Sequence, residues 1–195
     1  MTFKTDSINN MLNNIDEEEL PQIKKLIIDK FSISGEILNV DYSELLNFPN
    51  LETLYFENCI LDFLAMSVLT KLKNLKNLYL LNCEVIGGTE KLIENLNLET
   101  LVIDNTDIKT DNLDIIKARN ITLSSISVPN IKLVASTLNI AKASFQNLNF
   151  LTNIITEKLT ISYEMYKSNE KLFNNLPYKI IVLEENSDFI YKEVN

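Results

Sequence analysis

The chain has no histidine and no tryptophan, one arginine (Arg119), three glycines and two cysteines among its 195 residues. Without histidine it lacks the commonest general base, the usual zinc ligand and any Ser-His or Cys-His nucleophile pair. Neither G-x-x-x-x-G-K-[ST] nor G-x-G-x-x-G occurs, and three glycines leave little room for a phosphate cradle. No apolar run nears the roughly 18 residues that a membrane span needs. The segment Met1–Leu20 is polar and acidic (Asp6, Asp16, Glu17, Glu18, Glu19) and has neither the cationic nor the apolar region of a secretory signal. Two cysteines without an export signal fit a reducing compartment, so a cytoplasmic location is expected. A net charge of −9 argues against nucleic acid and anionic membrane as partners, since both need a cationic surface. The expectation is a protein that is not an enzyme and uses no cofactor or metal.

Apolar residues make up 46% of the chain, enough for a continuous core. They recur at fixed offsets. Leu51, Leu54, Phe56, Cys59 and Leu61 are matched by Leu75, Leu78, Leu80, Cys83 and Val85, then by Leu98, Leu101, Ile103, Thr106 and Ile108. The pattern is L-x-x-L-x-L-x-x-[C/T]-x-L, repeated at steps of 24 and 23 residues. Extending the register gives eight candidate repeats, starting at Ile28, Leu51, Leu75, Leu98, Ala118, Ala135, Thr156 and Pro177. Position four then reads Phe31, Leu54, Leu78, Leu101, Ile121, Leu138, Leu159 and Ile180. Position six reads Ile33, Phe56, Leu80, Ile103, Leu123, Ile140, Ile161 and Val182. The step from Ala118 to Ala135 is the shortest, at 17 residues.

The alternation of each L-x-L predicts a short strand with one buried face, and stacked repeats predict a parallel sheet. Asp62–Lys73, Thr89–Asn97 and Asp111–Ala118 have helical spacing. Tyr42–Phe48 and Glu170–Leu176 read as single helical turns, the second stopped by Pro177, and Gly87-Gly88 as a turn. Ile8, Met11, Leu12 and Ile15 predict an amphipathic helix within Asp6–Leu20. The expected division is a helical cap over 1–27, a repeat region over 28–183 and a cap or tail over 184–195, with Phe189, Ile190 and Tyr191 folding back over the last strand.

Cys59 and Cys83 fall at position nine of consecutive repeats, where a side chain bonds backbone groups as the strand turns inward. They read as buried structural thiols, too few for a zinc site. Outward positions three, five and seven hold the more useful constellation. Tyr55, Tyr79, Leu81 and Val102 form an apolar and aromatic cluster bordered by Glu57, Asp104, Asn58, Asn82 and Asn105. Such a composition fits the centre of a protein interface. It also fits cross-strand packing of tyrosines on a sheet. Glu57 and Asp104, two repeats or about 10 Å apart, sit at the upper end of carboxylate spacing in inverting glycosidases. With no tryptophan to stack a sugar, that reading is set aside.

The repeat pattern resembles the leucine-rich repeat superfamily over about Ile28 to Leu183. It departs from that family in lacking the usual Asn at position nine and in its short middle repeats. The resemblance implies an α/β leucine-rich repeat solenoid, curved, with a parallel sheet on its concave face and short helices or 3-10 turns on its convex face. It also implies that a protein partner binds the concave face. Between Glu36 and Asp62 lie six acids and no cation, a solvated flank or a steering surface for a basic partner. Size and acidity together suggest a bacterial immunity or inhibitor protein acting on a basic toxin. The alternative is a self-assembling scaffold, whereas a binding module of this kind is expected to be a monomer.

Overall fold

The structure, a computed structural model, describes residues 1–30, 42–86, 97–109, 115–125, 132–143, 148, 151, 154–183 and 191–194. It is an α/β fold built on a ten-stranded, mostly parallel sheet. The strands of this sheet are β1 (Thr2–Thr5), β2 (Lys25–Asp29), β3 (Thr53–Glu57), β5 (Asn77–Leu81), β7 (Leu98–Asp104), β9 (Ile115–Ser124), β10 (Lys132–Lys142), β11 (Ile154–Ser162), β12 (Lys179–Leu183) and β13 (Tyr191–Val194), side by side in that order. Among the described residues only the last pairing, β12 with β13, is antiparallel. The strands omitted from that series, β4 (Ile60–Leu61), β6 (Glu84–Ile86) and β8 (Asp107–Lys109), form a second parallel sheet.

The L-x-x-L-x-L pattern has a backbone cause. A strictly alternating strand would point positions one and four to opposite faces. Here the N–H groups of Glu52 and Thr53 both donate to the Lys24 carbonyl, at 2.9 and 3.0 Å, and those of Lys76 and Asn77 both donate to the Glu52 carbonyl. Glu99 and Thr100 repeat the arrangement on Lys76. This bulge-like kink inserts one extra residue, so Leu51, Leu54 and Phe56 all face inward. At the far end of the strand the chain turns through Asn58, Asn82, Asn105 and Ser125, with φ of 57, 53, 44 and 49°. Asparagine tolerates this left-handed conformation better than any other residue with a side chain of its size. Beyond each of the three asparagines the chain enters the second sheet.

The core between sheet and crossovers is continuous from Ile8 to Val182. Leu54, Phe56, Leu78, Leu80, Leu101 and Ile103 are fully buried, each worth about 1.5–3 kcal/mol. Registers Leu54↔Leu78↔Leu101↔Ile121↔Leu138↔Leu159↔Ile180 follow the expected position four, including the 17-residue step between Ile121 and Leu138. Helix α2 (Phe63–Leu69) starts on Asp62, whose side chain accepts from the Ala65 N–H, and buries Ala65, Val68 and Leu69. A 3-10 turn occupies Tyr42–Asn47, and α4 (Glu170–Phe173) ends before Pro177, both as expected.

Several elements differ from the sequence expectation. The first repeat is registered at Ile23, Leu26 and Ile28, because Leu26 and Ile28 pair with Leu54 and Phe56. Phe31 and Ile33, expected there, lie outside the described residues, as do Gly87-Gly88, residues 89–96, Phe189 and Ile190. The N-terminal helix α1 spans only Ile8–Leu12, capped by Ser7 and preceded by β1. It stops at Asn13-Asn14, where the Asn14 side chain donates to the Asn10 carbonyl in competition with the helix. Residues 115–118 of the expected third helix belong to β9 instead. Ile116 and Ala118 are buried while Lys117 is exposed, a period of two carried by β-branched residues. An additional helix, α3 (Tyr163–Ser168), follows β11 with Ser162 as its cap.

Candidate functional site on the outer sheet face

Position five lies between two buried residues and therefore points away from the core. The register Ile27↔Tyr55↔Tyr79↔Val102 sets these four side chains in one row across β2, β3, β5 and β7, all half-buried. The Tyr55 and Tyr79 rings stack with centroids 4.0 Å apart and planes 1° from parallel. The Lys25 ammonium stands 4.5 Å from the Tyr55 centroid, on the cation-attracting ring face. Burial, with the adjacent Tyr55 hydroxyl, pushes the Tyr79 phenol above its ordinary value.

Position seven forms the next outward row, Asp29↔Glu57↔Leu81↔Asp104. Leu81 therefore lies between two carboxylates. Lys4 reaches across from β1 to Asp29 at 2.8 Å and Glu57 at 2.9 Å. Hydrogen bonds to Asp29 and then Glu57 raise the Lys4 ammonium pKa. The left-handed asparagines close this rim. Asn58 donates to the Asp29 carboxylate at 2.8 Å, and Asn105 donates to the Asn82 side-chain oxygen at 2.7 Å.

All eight expected site residues, Tyr55, Glu57, Asn58, Tyr79, Leu81, Asn82, Val102 and Asp104, thus gather at β3, β5, β7 and their C-terminal corners. Sequence reasoning missed Lys25, Ile27 and Asp29 because it registered the first repeat at Ile28, and it missed Lys4 because β1 lies outside the repeats. The signal was present in Ile23-x-x-Leu26-x-Ile28, which has the same spacing as its neighbours.

The thiols of Cys59 and Cys83 are buried and free. Each Sγ lies near two carbonyls, Ile28 and Glu57 for Cys59, Phe56 and Leu81 for Cys83. Thr106 takes the same place in the next repeat, bonding the Leu80 and Asp104 carbonyls and accepting from the Cys83 N–H. Contact with Cys83 and burial push the Cys59 thiol up, away from the reactive thiolate. Among the described residues no group of three or more Cys, Asp or Glu side chains could hold a metal ion. No helix among them is long and apolar enough to cross a membrane.

The face offers stacked aromatic surface, a leucine between carboxylates and amide donors. Compared with protein-family models, curated proteins and solved structures, the chain matches none of them.

Proposed function

We propose that this chain is a small leucine-rich repeat solenoid and that it works as a non-enzymatic, cytoplasmic protein-binding module. Its outer sheet face grips one protein partner at Tyr55, Tyr79, Leu81 and Val102. The observation that carries this reading is the half-exposed row Ile27–Tyr55–Tyr79–Val102 beside the row Asp29–Glu57–Leu81–Asp104. Aromatic centres inside a polar rim are where interface energy concentrates. Stacking already holds both tyrosines in one conformation, so binding loses little further side-chain entropy.

The acidic row and the net charge of −9 favour a cationic partner. A narrower form of the proposal is an immunity or inhibitor protein for a basic toxin. The test is affinity capture at low salt with wild type and a Tyr55→Ala/Tyr79→Ala double variant, both shown to be folded by circular dichroism. A basic protein retained by wild type and lost by the variant supports the reading. Equal retention by both moves the site elsewhere on the molecule.

Self-assembly is the alternative, and the two edge strands β1 and β13, each paired on one side within the sheet, are what favour it. A light-scattering mass that stays monomeric over a hundredfold concentration range rejects it.

A further inference from the structure

A second feature of the same outer sheet face lies at the N-terminal rim of the middle strands, where Lys117 and Val134 each stand between two buried residues. An open groove of about 750 Å³ crosses β9, β10 and β11 there. Its floor includes the buried Ala118 and Ala135, which stand where the earlier repeats place Leu51, Leu75 and Leu98.

The groove's chemistry is graded along its length. On β9 it is bounded by Lys117 and Arg119, both exposed and neither in an ion pair among the described residues. Val134 and Ile155 supply apolar surface on β10 and β11, with Ile155 55% exposed. Glu157 stands at the β11 end. The surrounding sequence has the same bias. Residues 115–162 contain five cations and one carboxylate, whereas residues 1–114 contain 9 cations and 20 carboxylates. Of these charges Lys117, Arg119 and Glu157 line the groove, so cations outnumber carboxylates there as well.

We infer that the groove is a docking site for an extended acidic peptide of a partner protein, with one carboxylate over Lys117 and Arg119 and one apolar side chain on Val134 and Ile155. The dimensions set the peptide's spacing. Neighbouring strands lie about 4.8 Å apart, and an extended chain advances about 3.3 Å per residue with its side chains on alternating faces. The apolar patch is centred between β10 and β11, about 7 Å from β9, and side chains on one face of an extended chain recur every two residues, about 6.6 Å, so the apolar residue follows or precedes the acid by two positions. Glu157 repels a second acid at the far end and so fixes which end of the peptide lies over β9. The peptide runs across the strands, so side chains and not sheet hydrogen bonds carry the recognition.

The groove shares no residue with the tyrosine cluster, so the two sites succeed or fail separately. The experiment is a selection from a capped nine-residue peptide library, randomised over Asp, Lys, Ser, Ala and Leu, against the full chain. The variants are Arg119→Ala, Ile155→Ser and the control Lys76→Ala, which changes a rim cation outside the groove. The expected result is enrichment of peptides with Asp and Leu two positions apart. Binding of an enriched peptide falls at least tenfold in Arg119→Ala and Ile155→Ser, is unchanged in Lys76→Ala, and weakens with added salt. Enrichment without the acid, equal binding by all variants, or no enrichment at all would overturn the inference. Octanoate competing as well as the peptide would also overturn it, by showing a site for free carboxylates.

Discussion

Tyr55 and Tyr79 lie ring on ring, 4.0 Å between centroids and 1° from parallel, because consecutive parallel strands place position five in register. An aromatic pair of this kind contributes about 0.5–1.5 kcal/mol beyond the area it buries. A double-mutant cycle with Tyr55→Ala and Tyr79→Ala, followed by urea unfolding, should return a coupling energy in that range. A value near zero would mean that the rings do not support each other, and would remove the preorganised surface from the binding argument.

The left-handed corners make a sharper prediction. Asn82 has a φ of 53°, where a β-branched residue is strained. Asn82→Val should destabilise the fold by about 1–2 kcal/mol, while Asn82→Gly should stay within a few tenths of wild type. Chemical denaturation distinguishes them. Equal losses would point to the hydrogen bond from Asn105, not the backbone, as what Asn82 supplies.

Thr106 is buried to 2% exposure and bonds backbone groups of two neighbouring strands. Thr106→Val keeps the shape and strips the Cys83 N–H of its acceptor. We expect a loss of about 1–3 kcal/mol, as for other unsatisfied buried donors. Thr106→Cys should recover part of it, since Cys59 and Cys83 hold the equivalent place. A midpoint in Thr106→Val equal to wild type would contradict this account of position nine.

Alkaline pH supplies an independent test. Tyr42 donates to the Ile60 carbonyl at 2.7 Å and packs edge-on against Phe56. Burial first, with nearby Cys59 and Asp62 adding, pushes its phenol above the ordinary value of 10.0. The fold therefore favours the neutral form. This contribution is complete below about pH 10 and is lost as the pH rises from the unfolded value toward the folded one. Absorbance at 295 nm should show a tyrosine that ionises only as the protein unfolds, and Tyr42→Phe should remove that component. Its persistence in Tyr42→Phe would assign it to Tyr178 or Tyr79, which burial also raises.

Much of the sheet was legible in the sequence because inward positions four and six demand large apolar residues whatever the crossover does. Ile121 and Leu138 pair as the spacing implied even though their repeats are separated by only 17 residues. What escaped notice depends on competition between local choices. Thr2–Thr5 is too short to announce a strand by itself and forms β1 only because β2 offers an edge. Asp111–Ala118 carries apolar residues at helical spacing, yet Ile115 and Ile116 suit a pleated surface, and pairing with β7 and β10 decides for strand from Ile115 onward.

The site was half legible for a similar reason. The tyrosines could be placed on one face from their position in the repeat alone. Lys4, which ties Asp29 to Glu57, could not, because it belongs to a strand that carries no repeat signature. The groove was likewise hidden. Its lining comes from β9, β10 and β11, and only the assembled sheet brings Lys117, Arg119, Val134 and Ile155 together.

Each strand in this sheet bonds only to its immediate neighbours, and β1 and β13 form its opposite edges. Nine strand intervals separate them, about 43 Å. Tension applied between those edges acts along the hydrogen bonds rather than across them, so the ladders are loaded one after another instead of sharing the load. Under force the protein should open like a zipper, at low force and in steps of about one repeat, beginning at an edge strand. A partner seated on the tyrosine row would bridge β3, β5 and β7 and act as a mechanical clamp on those three strands.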